Sequence, residues 1–290
     1  MKRKGLTITC VFEAESANYG ESIGNAAALK KHTRNDGNQY TYISRQAIRY
    51  NIIEQLEEPL SEVEASGKGD KKVIQFAPSA TIESYPELDF FGYLKTEKGT
   101  DGKKRSAKVR LSHGVALEPF VGETDFLTNK GLADRLGENM NIAQSEIHKT
   151  FYRYTLAIDL DQIGIDPNDA IQLENTEKAR RVKKLLDTVA LLYRDIKGRR
   201  EDLKPLFAIG GVYDTKNPIF QNIVMVKNGK IQIEAIESVM FSEFKEKTHA
   251  GVIDGIFKNN NEIKTVLKAT NMPLFFETLK AEIEAYYASC

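Results

Sequence analysis

Tryptophan is absent from this 290-residue sequence and cysteine nearly so, with Cys10 and Cys290 standing near opposite ends. That spacing excludes a disulfide framework and a Cys-x-x-Cys metal site, so both read as reduced thiols. Histidine is scarce as well. His32, His113, His148 and His249 are isolated, forming neither the His-Glu-x-x-His pattern of zinc hydrolases nor the deaminase arrangement. Walker phosphate loops, a Gly-x-Ser-x-Gly elbow and a convincing Cys–His pair are all missing, and no metal or cofactor is expected. The apolar run Leu6–Phe12 includes Thr7, Thr9 and Cys10 and then meets Glu13 and Glu15. It is too short for a membrane span and reads better as a strand than as a signal peptide, so a cytoplasmic protein without a membrane partner is expected. Net charge is lacking too: 41 Lys plus Arg balance 41 Asp plus Glu, so any nucleic-acid footprint must be local.

What is present is a mixed pattern of strands and helices. Leu6, Ile8, Cys10 and Phe12 alternate with Thr7, Thr9 and Val11, which predicts a strand with one face committed to a core. The following stretch to Tyr42, rich in Gly, Asn and Lys, reads as a long functional loop rather than a hairpin, with a short helix over Ile23–Lys31. Ser44 caps a helix to about Leu56 whose apolar positions are Ala47, Ile48, Ile52 and Leu56. Ser66, Gly67, Gly69 and Asp70 mark a linker, and Val109–Leu117 and Phe151–Leu160 are strand candidates. Thr176–Ile196 carries the clearest helical stripe, Phe207–Val212 reads as a buried strand, and Asn228-Gly229 between Ile219–Val226 and Ile231–Ile236 signals a hairpin. This order predicts an α/β fold of the α+β kind, with an RRM-like or ferredoxin-like palm whose second sheet face stays available. A Rossmann sheet fits poorly, because Gly20 and Gly24 do not form a tight turn after the first strand.

The first fifty residues hold twice as many basic as acidic side chains, concentrated at Lys30, Lys31, Arg34, Arg45 and Arg49. Such groups suit a phosphate backbone, where contact releases counterions and needs no base sequence. Tyr40, Tyr42 and Tyr50 add rings that could stack on bases. A solvated face over buried aromatics explains the same composition. Two further basic segments contain Lys103, Lys104 and Arg105, within a connection made flexible by Gly99, Asp101 and Gly102, and Arg199 with Arg200 after Gly198. Three distributed patches on a neutral chain suit an extended groove better than a point-like phosphate site. The enzymatic alternative is a Mg²⁺-dependent RNase built on Asp36 with Glu13 or Glu15, although Asn35-Asp36-Gly37 also reads as a turn. A protein-only scaffold or regulator is a third reading.

The run Leu6–Gly20, followed by Lys30-Lys31, Asp36-Gly37 and Tyr40-Thr-Tyr-Ile-Ser-Arg-Gln-Ala-Ile-Arg-Tyr50, resembles the CRISPR-associated backbone subunit of Cascade complexes, in the DevR autoregulator-like branch associated with subtype I-B. Asp89-Phe-Phe-Gly-Tyr93, Arg110-Leu-Ser-His-Gly114, Phe151–Leu160 and Gly210-Gly-Val-Tyr-Asp214 extend the likeness. The resemblance implies a non-enzymatic protein whose copies line up along the spacer of a CRISPR RNA. Target DNA would be reached through guide pairing, other Cascade subunits would be neighbours, and a separate helicase-nuclease would destroy the DNA. It further implies a right-hand shape. The palm would begin within residues 1–66 and resume over 146–290 with a thumb hairpin and C-terminal helices, while a finger-like insertion would occupy residues 67–145. Lys30, Lys31, Arg45 and Arg49 match the positively charged part of the family pattern. With Arg34, Tyr42, Lys103, Lys104, Arg105, Arg199 and Arg200 they form the expected RNA-binding set.

Overall fold

The computed structural model describes residues 3–66, 72–96 and 102–290. Its centre is an eight-stranded antiparallel sheet, and the elements that build it are named in chain order: β1 (Gly5–Ala14), β2 (Lys31–Thr33), β3 (Gln39–Ile43), β4 (Val109–Leu111), β5 (Gly114–Ala116), β6 (Thr150–Asp159), β7 (Phe207–Tyr213) and β8 (His249–Val252). Strand order is β8-β7-β1-β6-β5-β3-β2, with β4 also paired to β6. Helix α1 (Arg45–Gln55) follows β3, α2 (Asn175–Ala190) follows β6, and α3 (Met272–Ala288) closes the chain. Taking β1, the β4–β5 pair, β6 and β7 as four successive strands, their spatial order is fourth, first, third, second, with α1 and α2 as crossovers: the ferredoxin-like arrangement the sequence predicts.

Alternation places Leu6, Ile8, Cys10 and Phe12 of β1 beside Tyr152, Tyr154, Leu156 and Ile158 of β6, under the apolar stripes of the three helices. Val182, Leu185, Leu186 and Val189 of α2 are fully buried there, each worth about 1.5–3 kcal/mol relative to exposure. The opposite side of β1 is buried too, which the alternation did not suggest. Thr9 Oγ1 lies 2.8 Å from Thr155 Oγ1, so the two hydroxyls satisfy each other, and Val11 joins Phe207 and Ile209 in a second core with Phe220, Val224, Val226 and Ile231. The segment after β7 therefore covers part of the face expected to be open. Gly210 and Gly211 permit the close approach of neighbouring backbone in β7. A Cβ on Gly210 would lie 2.0 Å from the Thr7 carbonyl oxygen and one on Gly211 1.9 Å from that of Lys247.

Other local expectations divide. Ser44 caps α1 through a 3.2 Å bond from the Ala47 amide, and Ile48 and Ile52 face the core. The stretch after β1 is neither loop nor helix. Tyr19–Ile23 and Ala26–Leu29 form a hairpin around Gly24, whose φ of 60° suits glycine, and Ala26 and Ala27 pair in parallel with Gln144 and Ser145. Pairing partners distant in sequence thus override the helical reading. The helix beginning near Thr176 stops at Ala190, because Tyr193–Ile196 and Arg199–Asp202 make a hairpin turning at Lys197 and Gly198. At Asn228-Gly229 the hairpin is only Val226–Lys227 against Lys230–Ile231, and Ile233–Ser238 continues as helix.

The stretch 67–145 is divided by the sheet. Residues 109–116 return to it as β4 and β5, separating two outlying parts. The first, which includes Val73–Phe76 and Pro86–Phe91, has its own small core of Ala77, Ala80, Ile82, Leu88 and Tyr93. It is fastened to α2 by buried charges: Arg105 Nη2 donates to Asp89 Oδ1 at 2.7 Å, and Arg181 reaches Asp89 Oδ2 at 3.3 Å and the Ile82 carbonyl at 2.6 Å. The second is an arm of Glu123–Thr128, Lys130–Leu136 and Ile142–Ile147, with Phe126, Leu127, Leu132 and Leu136 exposed. The expected start of the insertion at Gly67 and the linker glycines Gly67 and Gly69, like Gly99 and Asp101 of the expected flexible connection, lie outside the described residues. Among the described residues, no helix is long and apolar enough to cross a membrane.

Candidate nucleic-acid interface

Where the second core stops, the sheet face opposite the helices opens into a cleft of 420 Å³. Its floor is the outward row of β6, Arg153, Thr155 and Ala157, which alternates with the core residues Tyr152, Tyr154 and Leu156. Arg45, at the start of α1, lines the cleft with Arg110 to His113 and Val115, and Lys216, Pro218, Gln221 and Asn222 complete the lining. A second depression of 410 Å³ shares Arg45, Arg110 and Leu111 with the first and continues past Arg49 to Phe91. Five cations, Arg49, Arg45, Arg110, Arg153 and Lys216, thus line two adjoining depressions that form one groove-like surface.

These cations are held differently. Arg153 donates to the Val224 carbonyl at 2.7 Å, and burial together with repulsion from Arg34 lowers its pKa to about 10. It remains a cation at neutral pH. Arg110 pairs with Asp159 at 2.8 Å and Lys216 with Asp161 at 2.6 Å, so both are oriented by carboxylates. The Arg45 side chain is exposed and has no ion pair or hydrogen bond among the described residues. The Arg49 guanidinium lies 5.7 Å from the centre of the Phe91 ring.

Beside Arg45 runs a row of rings. Tyr42 lies 5.7 Å from His32 and 5.3 Å from His113, and Arg34 stacks 3.8 Å above Tyr40 while donating to the Ala116 carbonyl at 2.9 Å. The row exists because β3 pairs with β2 on one side and β5 on the other, bringing His32 of β2, Tyr40 and Tyr42 of β3 and His113 just before β5 together. His113 Nδ1 accepts from the Arg45 amide at 3.0 Å, which leaves the ring proton on Nε2. Burial and then Arg45 depress the His113 pKa; burial, then Arg34 and His113, depress that of His32. Both imidazoles are therefore neutral at pH 7.

Of the residues chosen from sequence, Arg34, Tyr42, Arg45 and Arg49 meet along this groove and ring row. Lys30 is exposed, while Lys31 pairs with Glu146 of the arm at 2.5 Å and sits 4.1 Å over Phe120. Lys104 is exposed and Lys103 pairs with Asp169 at 2.5 Å. Arg105, 7% exposed, points inward to Asp89 and fastens the outlying part rather than joining a surface patch. Arg199 binds Glu15 at 2.6 Å, and Arg200 binds Asp195 at 2.9 Å while stacking on Tyr193. Neither arginine lines the groove. Glu13, Glu15 and Asp36 are each engaged separately: Glu13 by Lys149, Glu15 by Arg199, and Asp36 by the Tyr40 hydroxyl at 2.6 Å and the Asn38 amide at 3.0 Å. Those two bonds lower the Asp36 pKa, as a turn carboxylate requires.

Arg110, Arg153, His113 and Lys216 stand outside the RNA-binding set expected from the sequence. Arg153 had a usable signal, a guanidinium on the outward beat of a strand whose inward beat is Tyr152, Tyr154 and Leu156. Lys216 had none, because only the path of the chain after β7 brings it to the groove.

The family model described as CRISPR-associated negative auto-regulator DevR/Csa2 matches residues 6–234. Among solved structures, a chain of a CRISPR RNA-guided surveillance complex in a pre-nicking state is similar over 98% of this chain and 99% of its own length, with a TM-score of 0.58 and 11% identity. A chain of a second CRISPR RNA-guided surveillance complex is similar over 96% of this chain and 99% of its own, with a TM-score of 0.58 and 15% identity. At these identities the likeness is one of fold. No curated protein matches the sequence.

Proposed function

Because the chain belongs to the DevR/Csa2 family, we propose that it grips the spacer part of a CRISPR RNA in the groove and repeats along that RNA as the backbone of a DNA-targeting Cascade surveillance complex. The observation that carries this reading is that Arg49, Arg45, Arg110, Arg153 and Lys216 line two adjoining depressions beside the Tyr42 ring row. Cations spaced along a groove attract successive phosphates and are indifferent to base sequence, which is what a guide holder must be, since spacers differ. Recognition of target DNA then falls to base pairing, and cleavage to a helicase-nuclease partner. Copies contact one another head to tail, and other Cascade subunits cap the row.

In this reading the central sheet is the palm, the outlying parts on either side of residues 109–116 supply the finger, and the run around Tyr40–Tyr50 points to the subtype I-B branch. The protein acts in the cytoplasm as a binder and not as a nuclease; the engagement of Asp36 by Tyr40 and Asn38 within a turn supports this.

The test is co-expression with a CRISPR array, followed by sequencing and counting of the RNA that purifies with the protein. Spacer-containing RNA with several protein copies on each molecule is expected. Random RNA, bound without dependence of assembly on its length, would remove the guide-holding role. Metal-dependent cleavage of that RNA, abolished by Asp36→Ala, would establish the nuclease instead.

A further inference from the structure

The groove's cations cannot distinguish RNA from DNA, because both polymers carry the same phosphates. Discrimination calls for groups that can bond the sugar hydroxyl, which only RNA carries, and an amide can both donate to it and accept from it. Two hydroxyls in the cleft are already committed. Thr155 Oγ1 pairs with Thr9 Oγ1 at 2.8 Å, and Ser112 Oγ donates to the His113 carbonyl at 3.0 Å while accepting from the Thr155 amide at 2.9 Å.

The amides of Gln221 and Asn222 are different. Both line the cleft together with Arg45, and their side chains make no hydrogen bond among the described residues. The turn that presents them is firmly seated. The Gln221 amide N–H donates to the Pro218 carbonyl at 2.9 Å, that of Ile223 to Phe220 at 3.1 Å, and Phe220 and Val224 on either side are buried in the second core. Lys216 just upstream and Arg153 on the floor flank the pair with positive charge. A sugar whose phosphates lie on those cations would come within reach of two unpaired amides carried on an anchored backbone turn.

We propose that Gln221 and Asn222 bond the ribose hydroxyl and make the groove selective for RNA over DNA. This rests on the groove being the polynucleotide site. The experiment compares binding of the full chain, by fluorescence anisotropy at fixed salt, to one unstructured single-stranded sequence made as RNA, as DNA and with each ribose hydroxyl methylated. Wild type should favour RNA over both others by about 5- to 10-fold, the effect of one or two net hydrogen bonds. The Gln221→Met, Asn222→Ala double variant should bind RNA only as tightly as wild type binds DNA, with its DNA affinity unchanged.

Unchanged DNA affinity also reports that the variant is folded, since a merely structural loss would weaken both polymers together. Equal wild-type affinity for RNA and DNA, full RNA preference in the double variant, or parallel loss of both polymers would overturn the inference while leaving the groove's role intact. Binding of neither polymer by wild type would remove the proposed function and the inference with it.

Discussion

The guanidinium of Arg199 donates to Glu15 Oε1 at 2.6 Å, so a side chain suited by its sequence context to phosphate and one suited to a metal neutralise each other. Arg199 also reaches the Ser16 hydroxyl, and Glu201 on the same hairpin accepts from the Glu15 and Ser16 amides. The hairpin is thereby docked on the end of β1. Arg199→Ala is expected to leave RNA affinity within about twofold and to cost up to about 1 kcal/mol of stability, as a part-exposed pair does. Anisotropy and urea unfolding on the same preparation measure both; a tenfold loss of affinity would return Arg199 to the RNA surface.

Arg153 and Arg45 stand on the floor and wall of one cleft and should behave oppositely to Arg199. Arg153→Ala and Arg45→Glu should each weaken RNA binding by roughly tenfold or more and lower the slope of log affinity against log salt by about one for each phosphate no longer neutralised. Titrations at several salt concentrations give both numbers. An unchanged slope with a folded variant would remove that side chain from the groove.

His32 and His113 are held neutral by burial and by the cations Arg34 and Arg45. A bound polyanion reverses the sign of that field and favours the imidazolium forms. Binding then takes up protons, so affinity should rise as pH falls from ~7.5 to ~5.5, across the ordinary histidine range. His113→Gln should flatten the rise. Affinity measured at constant ionic strength across that interval decides the matter, and a fall with acidification would contradict it.

Asp89 is fully buried and answers to both Arg105 and Arg181. Arg181→Ala removes one of these partners and leaves the Ile82 and Glu83 carbonyls without their donor. A loss of about 3–5 kcal/mol is expected, typical of breaking a buried pair. Chemical denaturation would register it, and a loss below about 1 kcal/mol would mean that the network does not fasten the outlying part to α2.

Gly211→Ala places a methyl against the Lys247 carbonyl. Relief requires backbone movement between β7 and the segment before β8, so a destabilisation of about 1–3 kcal/mol or more is expected, read as a lowered Tm. No shift would mean that the Lys247 segment moves aside freely.

What was legible in the sequence is local. The alternation of Leu6–Phe12, the cap at Ser44 and the buried run Phe207–Val212 each report their environment through neighbouring residues. The order of elements then suffices for the ferredoxin-like arrangement. What escaped depends on partners far away in the chain. Ala26–Leu29 is a strand because Gln144 and Ser145 lie beside it, and Arg105 is buried because Asp89 and Asp166 are there to receive it. The site divides in the same way. Arg45 and Arg49 sit on a recognisable helix, whereas Arg153 and Lys216 become neighbours only after β6 and the turn following β7 have been brought together.

The groove has a colloidal consequence. With a pI near 6.9, the free chain has a formal net charge of zero at pH 7 and little mutual repulsion to keep copies apart in solution. On the proposed function, each phosphate seated against a cation unpaired among the described residues, such as Arg45, would add one negative charge without displacing a carboxylate of the protein. A loaded row of copies would then carry a net negative charge that keeps it dispersed, a protection the empty subunit would not have.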